Sequence, residues 1–459
     1  MDVAVNIYKA YDIRGVYGSE LTELIVYKTA RALAQLLQAE QPGKLLTIVL
    51  GADMRVSSPA LHQHVQQGLS DEGCQVVNVG LVSTPAFYFA VAKYGYDGGI
   101  MISASHNPPQ YNGLKMVRAG GVPISKDTGI ITIRDAVVAD TAFGTTKTPG
   151  QVSSRDDIVA ADVAYALEFC QNQSKIKPFK IVADAANGMG ATYLAELFKH
   201  LPGQLLPMNF KLDGTFPAHE ADPFKAENNR SLMERVVAEQ ADLGIATDGD
   251  GDRIFFIDNE GQLIEPAIIR GLMAQILLQQ QPGATICYDI RPGKITYDMI
   301  VAAGGKPSVT KVGHSLIKEQ AIAEGAIFAG ESSGHFFVKM DHGMFEAPCI
   351  VTLKLLEYFS AHHGTSADQV RSFRTYFHSG EINSTVRDVS AVMTAITQRY
   401  SSAAKAVSQL DGITIEYPNY WFNVRASNTE PLLRLNLEAV SADICATKTA
   451  ELLAVIRGS

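Results

Sequence analysis

The chain has 459 residues, 46% of them hydrophobic and 19% charged, with a formal net charge of −9. That length is too great for one hydrophobic core and predicts about two to four domains. The acidic balance, with no run of lysine and arginine, excludes general nucleic-acid binding, and no stretch of about 18 apolar residues marks a membrane span.

An anionic substrate would therefore depend on a local basic pocket and not on the overall field. Five scattered cysteines, Cys74, Cys170, Cys287, Cys349 and Cys445, show no CxxC spacing and read as reduced thiols of a cytoplasmic protein. The opening MDVAVNIYKAYDIRG has neither a basic start nor a long apolar run, so no signal peptide is expected.

In chain order, AYDIRG offers Tyr11 and Arg14, and residues 20–38 predict a helix with Leu24, Tyr27, Leu33 and Leu37 on one stripe. LLTIVLGADMR (45–55) predicts a strand ending in small and polar residues, Arg55 among them. GGIMISASHNPPQYNGLKM (98–116) runs from an apolar strand into a loop pinned by Pro108 and Pro109, carrying Ser105 and His106, with Lys115 beyond. Such a loop is either a plain Ser/Asn/Pro turn or a mount for a reactive serine. A phosphorylated Ser105 would bring about two negative charges and three acceptor oxygens, with His106 and Lys115 as charge partners or proton carriers.

Residues 143–157 read as a linker. The same strand–helix–strand rhythm then returns as FKIVADAANGMG (179–190) followed by LGIATDGDGDR (243–253). Glycines separate Asp248, Asp250 and Asp252, so three carboxylates can fold around one point. Hard oxygen ligands in that number suit Mg²⁺, and the plainer reading is a glycine-rich acidic turn. Without a cation their charges would repel. An EF-hand also begins D-x-D-x-D, but its sixth position here is Arg253 and its twelfth Asn259, where Gly and Glu are needed.

The rhythm appears a third time as ATICYDIRPG (284–293) and AIFAGESSGHFF (326–337), with TKVGHSLIK between them supplying Lys311 and His314. Glu331 and Ser333 are two apart, so in an extended loop both face one way and could hold adjacent sugar hydroxyls. His335 is either a phosphate contact or a satisfied core histidine. Arg291, like Tyr11, Arg14, Arg55, Lys311 and His314, is a strand-end polar residue, singly a surface charge or a domain-interface partner, and together these could supply local positive potential. Strands alternating with helices predict a mainly parallel sheet, with ligand loops at the carboxyl ends of its strands.

After residue 371 the pattern changes: strand GEINSTVRD, helix VSAVMTAITQRYSSAAKAV, strand GITIEY, then WFNVRASNTEPLLRLNLEA and a last helix. Leu433, Leu435 and Leu437 alternate with Arg434, Asn436 and Glu438, which predicts a strand with one buried face. Arg425, Ser427, Asn428 and Thr429 make either a hairpin loop with an Asx-turn or an anion cradle suited to phosphate. The predicted architecture is α/β in four domains: 1–148, 149–258 and 259–371 as three similar mixed βαβ domains, and 372–459 as a smaller α+β domain.

Six stretches in order, AYDIRG, ISASHNP, TDGDGDR, KVGHSLIK, GESSGH and RASNTEP, resemble the α-D-phosphohexomutase superfamily across nearly the whole chain, most closely its bacterial phosphomannomutase/phosphoglucomutase branch. The resemblance implies a heart-shaped protein in which each domain lends one loop to a central cleft. It implies a cytoplasmic isomerase acting on small sugar phosphates, monomeric or weakly homo-oligomeric, without nucleic-acid or membrane partners. Ser105 resembles the phosphoserine, and Asp248, Asp250 and Asp252 the Mg²⁺ ligands, with the phosphoserine as another. His106, Lys115 and Arg253 resemble catalytic positions. Glu331 and Ser333 resemble the sugar-hydroxyl binders, and Arg425, Ser427, Asn428 and Thr429 the distal phosphate site. Tyr11, Arg14, Arg291, Lys311, His314 and His335 match further substrate-binding positions.

The implied reaction interconverts hexose 1-phosphate and hexose 6-phosphate, of mannose or glucose or both. It runs through a bound hexose 1,6-bisphosphate, which also primes the enzyme. Ser103 and Ser332 stand where Thr and Met are frequent in the family. Asn428 tilts the choice towards mannose and glucose phosphates, because the phosphoglucosamine mutase branch typically has Gly there. That branch and a metal-dependent sugar phosphatase are the alternatives. A non-catalytic sugar-phosphate sensor would be expected to lose Ser105 or an aspartate, and this chain keeps them all.

Overall fold

The computed structural model describes residues 4–140, 148–171, 173–426 and 432–458. The described residues form two compact units, one drawn from 1–263 and 334–366, the other from 264–333 and 367–459. Three mixed α/β sheets and a separate carboxyl-terminal antiparallel sheet give the α/β class.

In the first unit the helix Glu23–Glu40 starts where Thr22 accepts a hydrogen bond from the Ile25 amide, and Glu23 lies against the helix N-terminus. Both features stabilise a first turn. Its buried stripe runs through Ile25, Val26, Thr29, Ala30, Leu33, Ala34 and Leu37. Leu24, expected on that stripe, is 41% exposed instead. The apolar face begins one residue later because i, i+4, i+8 spacing is centred on Ile25 and Val26. The helix packs against Ser58–Asp71 so closely that a Cβ at Gly68 would lie 2.5 Å from the Tyr27 carbonyl oxygen. Only glycine fits that crossing.

The first sheet joins strands Thr47–Ala52, Gln75–Leu81, Gly98–Ile102 and Val152–Ser154 in parallel. Strand Tyr111–Arg118 returns antiparallel beside Gly98–Ile102. The second sheet repeats the pattern. Phe179–Asp184 lies parallel between Gly203–Met208 and Leu243–Thr247, and Ile254–Asp258 returns antiparallel to Leu243–Thr247. Each return strand follows directly on a loop at the carboxyl end of a fully buried strand, and those two loops carry Ser105 and the three aspartates.

In the second unit Thr285–Asp289 lies parallel between Lys306–Thr310 and Phe328–Gly330. Its antiparallel sheet has Leu432–Ala439 beside Tyr420–Ala426. The alternation of Leu433, Leu435 and Leu437 is confirmed: all three are buried beneath helices Val389–Tyr400 and Ala442–Arg457. The opposite face differs from expectation, because Asn436 and Glu438 are buried too. Glu438 accepts hydrogen bonds from the Gly293 and Lys294 amides and from Trp421 Nε1 (2.7 Å). The helix predicted over 389–407 ends at Tyr400, and Ala406–Ser408 pairs as a strand with Ile413–Glu416.

No described helix is long and apolar enough to cross a membrane. All five cysteines are buried and free of disulfides. Leu435→Ala should cost about 2–5 kcal/mol in a urea melt, since its side chain lies wholly inside the carboxyl-terminal core.

Candidate active site

Strand Gly98–Ile102 is buried on both faces and delivers the loop that follows it as a rigid extension. Ser105, only 2% exposed, sits at the tip with φ +49°, in the left-handed region that side chains other than glycine rarely adopt. Its amide donates to Ser103 Oγ at 2.9 Å, so the hydroxyl kept at position 103 braces the turn. Its Oγ–H donates to Asp248 Oδ2 at 2.7 Å and lies 3.2 Å from His106 Nδ1.

The loop after strand Leu243–Thr247 presents Asp248, Asp250 and Asp252, all buried, with one carboxylate oxygen of each within 4.8 Å of the others. Gly249 allows the two loops to meet, because a Cβ there would stand 2.5 Å from the Ser105 carbonyl oxygen. Burial, then the charges of Asp252 and Asp250, push the Asp248 carboxyl well above its ordinary range. Burial presses the same way on Asp252, but Lys115 and His335 outweigh it and hold that carboxyl well below the ordinary range.

Lys115 Nζ donates to Asp250 Oδ2 at 2.7 Å and to Asp252 Oδ2 at 2.8 Å. Thr84 Oγ1, which sequence reasoning missed, donates to Asp250 Oδ2 at 2.6 Å. Nothing in the surroundings of Thr84 in sequence marks it, since the contact spans 166 residues. The remaining oxygen, Asp250 Oδ1, is buried without a hydrogen-bond partner. An orphaned carboxylate oxygen beside two further carboxylates and a serine oxygen is a donor set that fits a hard divalent cation.

Basic side chains sit around this core. Arg14 donates to Asp12 Oδ2 and to Asn107 Oδ1, each at 2.7 Å. Arg253 reaches Asp222 at 3.3 Å and Asp248 at 4.0 Å. His335 Nε2 lies 3.2 Å from Asp252 Oδ1. Burial, then the charges of Arg253 and Arg14, push the His106 imidazole well below its ordinary value. The first unit thus gathers Ser105, His106, Lys115, the three aspartates, Arg14, Arg253 and His335. Tyr11 lies half-buried two residues before strand Ile13–Val16.

The second unit gathers another group. Arg291 pairs with Asp289 at 2.5 Å and stands 3.6 Å from Glu331 and 3.4 Å from Ser333 Oγ. The Glu331 carboxylate also accepts from the Gly313 amide (2.9 Å) and lies 3.4 Å from Ser333 Oγ. Ser332 braces the same corner, where its Oγ donates to Asp289 at 3.0 Å and takes a contact from Arg270 at 3.2 Å. A cavity of about 370 Å³ opens beside Arg291, walled by Tyr288, Tyr297 and Trp421.

His314 begins the helix His314–Ala323, and Lys311 is exposed after the preceding strand. Arg425 donates to Glu381 Oε2 at 2.6 Å, a carboxylate also reached by Arg434 at 3.2 Å. Ser427, Asn428 and Thr429 lie outside the described residues.

The four domains described as "Phosphoglucomutase/phosphomannomutase", alpha/beta/alpha domains I, II and III and the C-terminal domain, match residues 5–142, 161–261, 266–376 and 381–454. The phosphohexose mutase of Xanthomonas campestris pv. campestris is 38% identical over 98% of this chain and 99% of its own. The chain belongs to the phosphoglucomutase/phosphomannomutase family. It is a phosphohexomutase, an isomerase. The phosphomannomutase/phosphoglucomutase of Pseudomonas aeruginosa is 36% identical, covering 95% of this chain and 92% of the relative. A family protein from Burkholderia thailandensis, solved by crystallography, superposes with a TM-score of 0.88 at 32% identity, covering 99% of this phosphohexomutase and 97% of that chain.

Proposed function

We propose that this phosphohexomutase interconverts the 1- and 6-phosphates of mannose or glucose through a phosphorylated Ser105. The observation that carries the reading is the Ser105 hydroxyl 2.7 Å from Asp248 within a buried aspartate triplet. In the first half-reaction the phosphoserine P–O bond breaks and a new one forms to the free sugar hydroxyl. The proton of that hydroxyl returns to Ser105 Oγ, and His106 Nδ1, 3.2 Å away, is a carrier within reach. The bisphosphate turns end for end, and the opposite phosphoryl passes back to Ser105. Transfer of this kind depends mainly on alignment and on charge stabilisation of the moving group.

Asp248, Asp250 and Asp252, joined by an oxygen of the phosphoserine, would hold Mg²⁺. When bound, the ion supplies Lewis-acid stabilisation of the charge on the transferring oxygens. Lys115 holds the Asp250 and Asp252 carboxylates in place. Arg14, Arg253 and His335 would surround the phosphoryl with positive charge. Glu331 and Ser333, oriented by Arg291, would bind sugar hydroxyls. Arg425 with Ser427, Asn428 and Thr429 would grip the distal phosphate, and Tyr11, Lys311 and His314 would complete the substrate contacts.

This reading assigns domains 1–148, 149–258, 259–371 and 372–459, one loop from each. It takes the protein as cytoplasmic, monomeric or weakly homo-oligomeric, and primed by hexose 1,6-bisphosphate. The test is a comparison of initial rates with mannose, glucose and glucosamine 1-phosphates, with Mg²⁺ and the bisphosphate primer. Mannose or glucose is expected to exceed glucosamine in kcat/KM by at least about tenfold. A preference for glucosamine would overturn the sugar class. Release of inorganic phosphate faster than isomerisation would overturn the transfer reading.

A further inference from the structure

In sequence Arg55 reads as one of several strand-end polar residues, a surface charge or an interface partner that could share in a local positive potential. The structure buries it instead. It is 1% exposed and one of the largest fully buried side chains. It follows strand Thr47–Ala52, and both terminal nitrogens of its guanidinium donate to backbone carbonyls of the Ser105 loop. Nη2 donates to the carbonyls of Ser105 at 2.8 Å and Asn107 at 2.6 Å. Nη1 donates to those of Pro108 at 2.8 Å and Tyr111 at 2.9 Å.

Four carbonyl oxygens of one loop converge on one cation. Carbonyl dipoles aimed at a common point repel each other unless a positive group lies between them. A planar fork can serve two acceptors from each terminal nitrogen, whereas an ammonium offers three donors in a cone. The counter-charge is local too, since Asp53 Oδ2 lies 3.3 Å from Arg55 Nε and is fully buried.

Of the four residues whose carbonyls it holds, Ser105 is the one in the left-handed region. A side chain at φ +49° costs about 1–3 kcal/mol and persists only where its surroundings over-determine it. Ser103 Oγ holds the Ser105 amide, Gly249 closes on the Ser105 carbonyl from the metal-site loop, and Arg55 grips that same carbonyl. A second loop braces the clamp. The Phe216 ring centroid lies 5.1 Å from the Arg55 guanidinium carbon, and a Cβ at Gly214 would lie 2.5 Å from the Arg55 Cα.

We propose that Arg55 is the positioning residue of the phosphoryl-carrying loop. Its guanidinium holds Ser105 in the left-handed backbone conformation that turns Oγ towards Asp248, without touching substrate itself. The inference rests on the phosphoserine reading of Ser105. A residue acting only through Ser105 should govern the rate of transfer and leave the grip on the sugar phosphate alone. A displacement of about 1 Å in a reacting group costs on the order of 100-fold.

The test is Arg55→Lys in the full chain, checked for folding by circular dichroism. Turnover is read at saturating hexose 1-phosphate, and phosphorylation of Ser105 by hexose 1,6-bisphosphate is followed by intact mass. The expected result is a kcat lower by about 100-fold, a KM within about threefold of the parent, and a loading rate that falls in step with kcat. A folded variant with kcat within about threefold of the parent would overturn the proposal, and so would a loss confined to KM.

Should Arg55→Lys fail to fold, Gly214→Ala decides. Its Cβ displaces the Arg55 backbone from the second loop, and a fall in kcat of about tenfold at constant KM is expected. Unchanged turnover there would equally overturn the proposal. Ser105→Ala separates this inference from the reading beneath it. An active Ser105→Ala enzyme refutes the phosphoserine, whereas an inactive one beside a normal Arg55→Lys refutes Arg55 alone.

Discussion

Ser105→Ala is expected to lower turnover by on the order of 10⁴- to 10⁶-fold, the scale on which deleting a covalent nucleophile acts. The hydroxyl is the only group of that residue which reaches the triplet, 2.7 Å from Asp248, and alanine has nothing with which to carry a phosphoryl group. Substrate binding should survive, because the residues proposed to grip the sugar and its phosphates lie on other loops. Fluorescence titration of Trp421, the sole tryptophan, with hexose 1-phosphate would read that binding. Intact mass should show no added phosphoryl group after incubation with hexose 1,6-bisphosphate. Mutase activity at the parental rate would sink the assignment.

Asp250→Asn carries the second large effect. Asp250 Oδ1 is a buried oxygen left without a hydrogen-bond partner, and its other oxygen already serves Lys115 and Thr84. Changing an outer partner of a metal ligand costs roughly 10- to 100-fold in affinity, and losing a ligand charge should cost at least as much. Turnover should fall alongside. Thermal unfolding gives a readout independent of activity. At a Mg²⁺ concentration about 100 times the parental Kd, binding stabilises the fold by about 2.7 kcal/mol, whereas a 100-fold weaker site gains only about 0.4 kcal/mol. An Asp250→Asn enzyme whose melting temperature responds to Mg²⁺ as the parent does would contradict the metal site.

The α/β class was legible because each strand–helix–strand unit is local. Apolar runs such as residues 98–102 must be buried on both faces, and the polar loop that follows has nowhere to go but the sheet's carboxyl edge. The aspartate triplet was legible for a similar reason, since three carboxylates spaced by glycines need no distant partner to meet. Leu433, Leu435 and Leu437 read correctly because a two-residue period is a property of the strand itself.

Misreadings arose where a residue's fate depends on something far away in the chain. Glu438 alternates like a surface residue, yet the amides of Gly293 and Lys294, some 145 residues away, bury it. Lys115, read as a charge partner or proton carrier of a phosphoserine, also bridges Asp250 and Asp252 across 135 and 137 residues, a contact its own neighbours in sequence do not show. Thr84 and Glu381 carry no local mark at all, and what they do follows from Asp250 and Arg425.

By itself, then, the order of residues determined which chemical groups are available: a serine on a strand-end loop, a triplet of carboxylates spaced by glycines, and a carboxylate and hydroxyl two residues apart. Those are properties of side chains and short-range geometry, and they survive without a fold. Tertiary structure decided what orients each group. It placed Arg55 under four carbonyls, left one oxygen of Asp250 unpartnered, and set Ser105 at a backbone angle that only its neighbours can enforce. Hydrogen bonds and charges act over a few ångströms, so which residues they join is settled only once the chain has brought distant segments together.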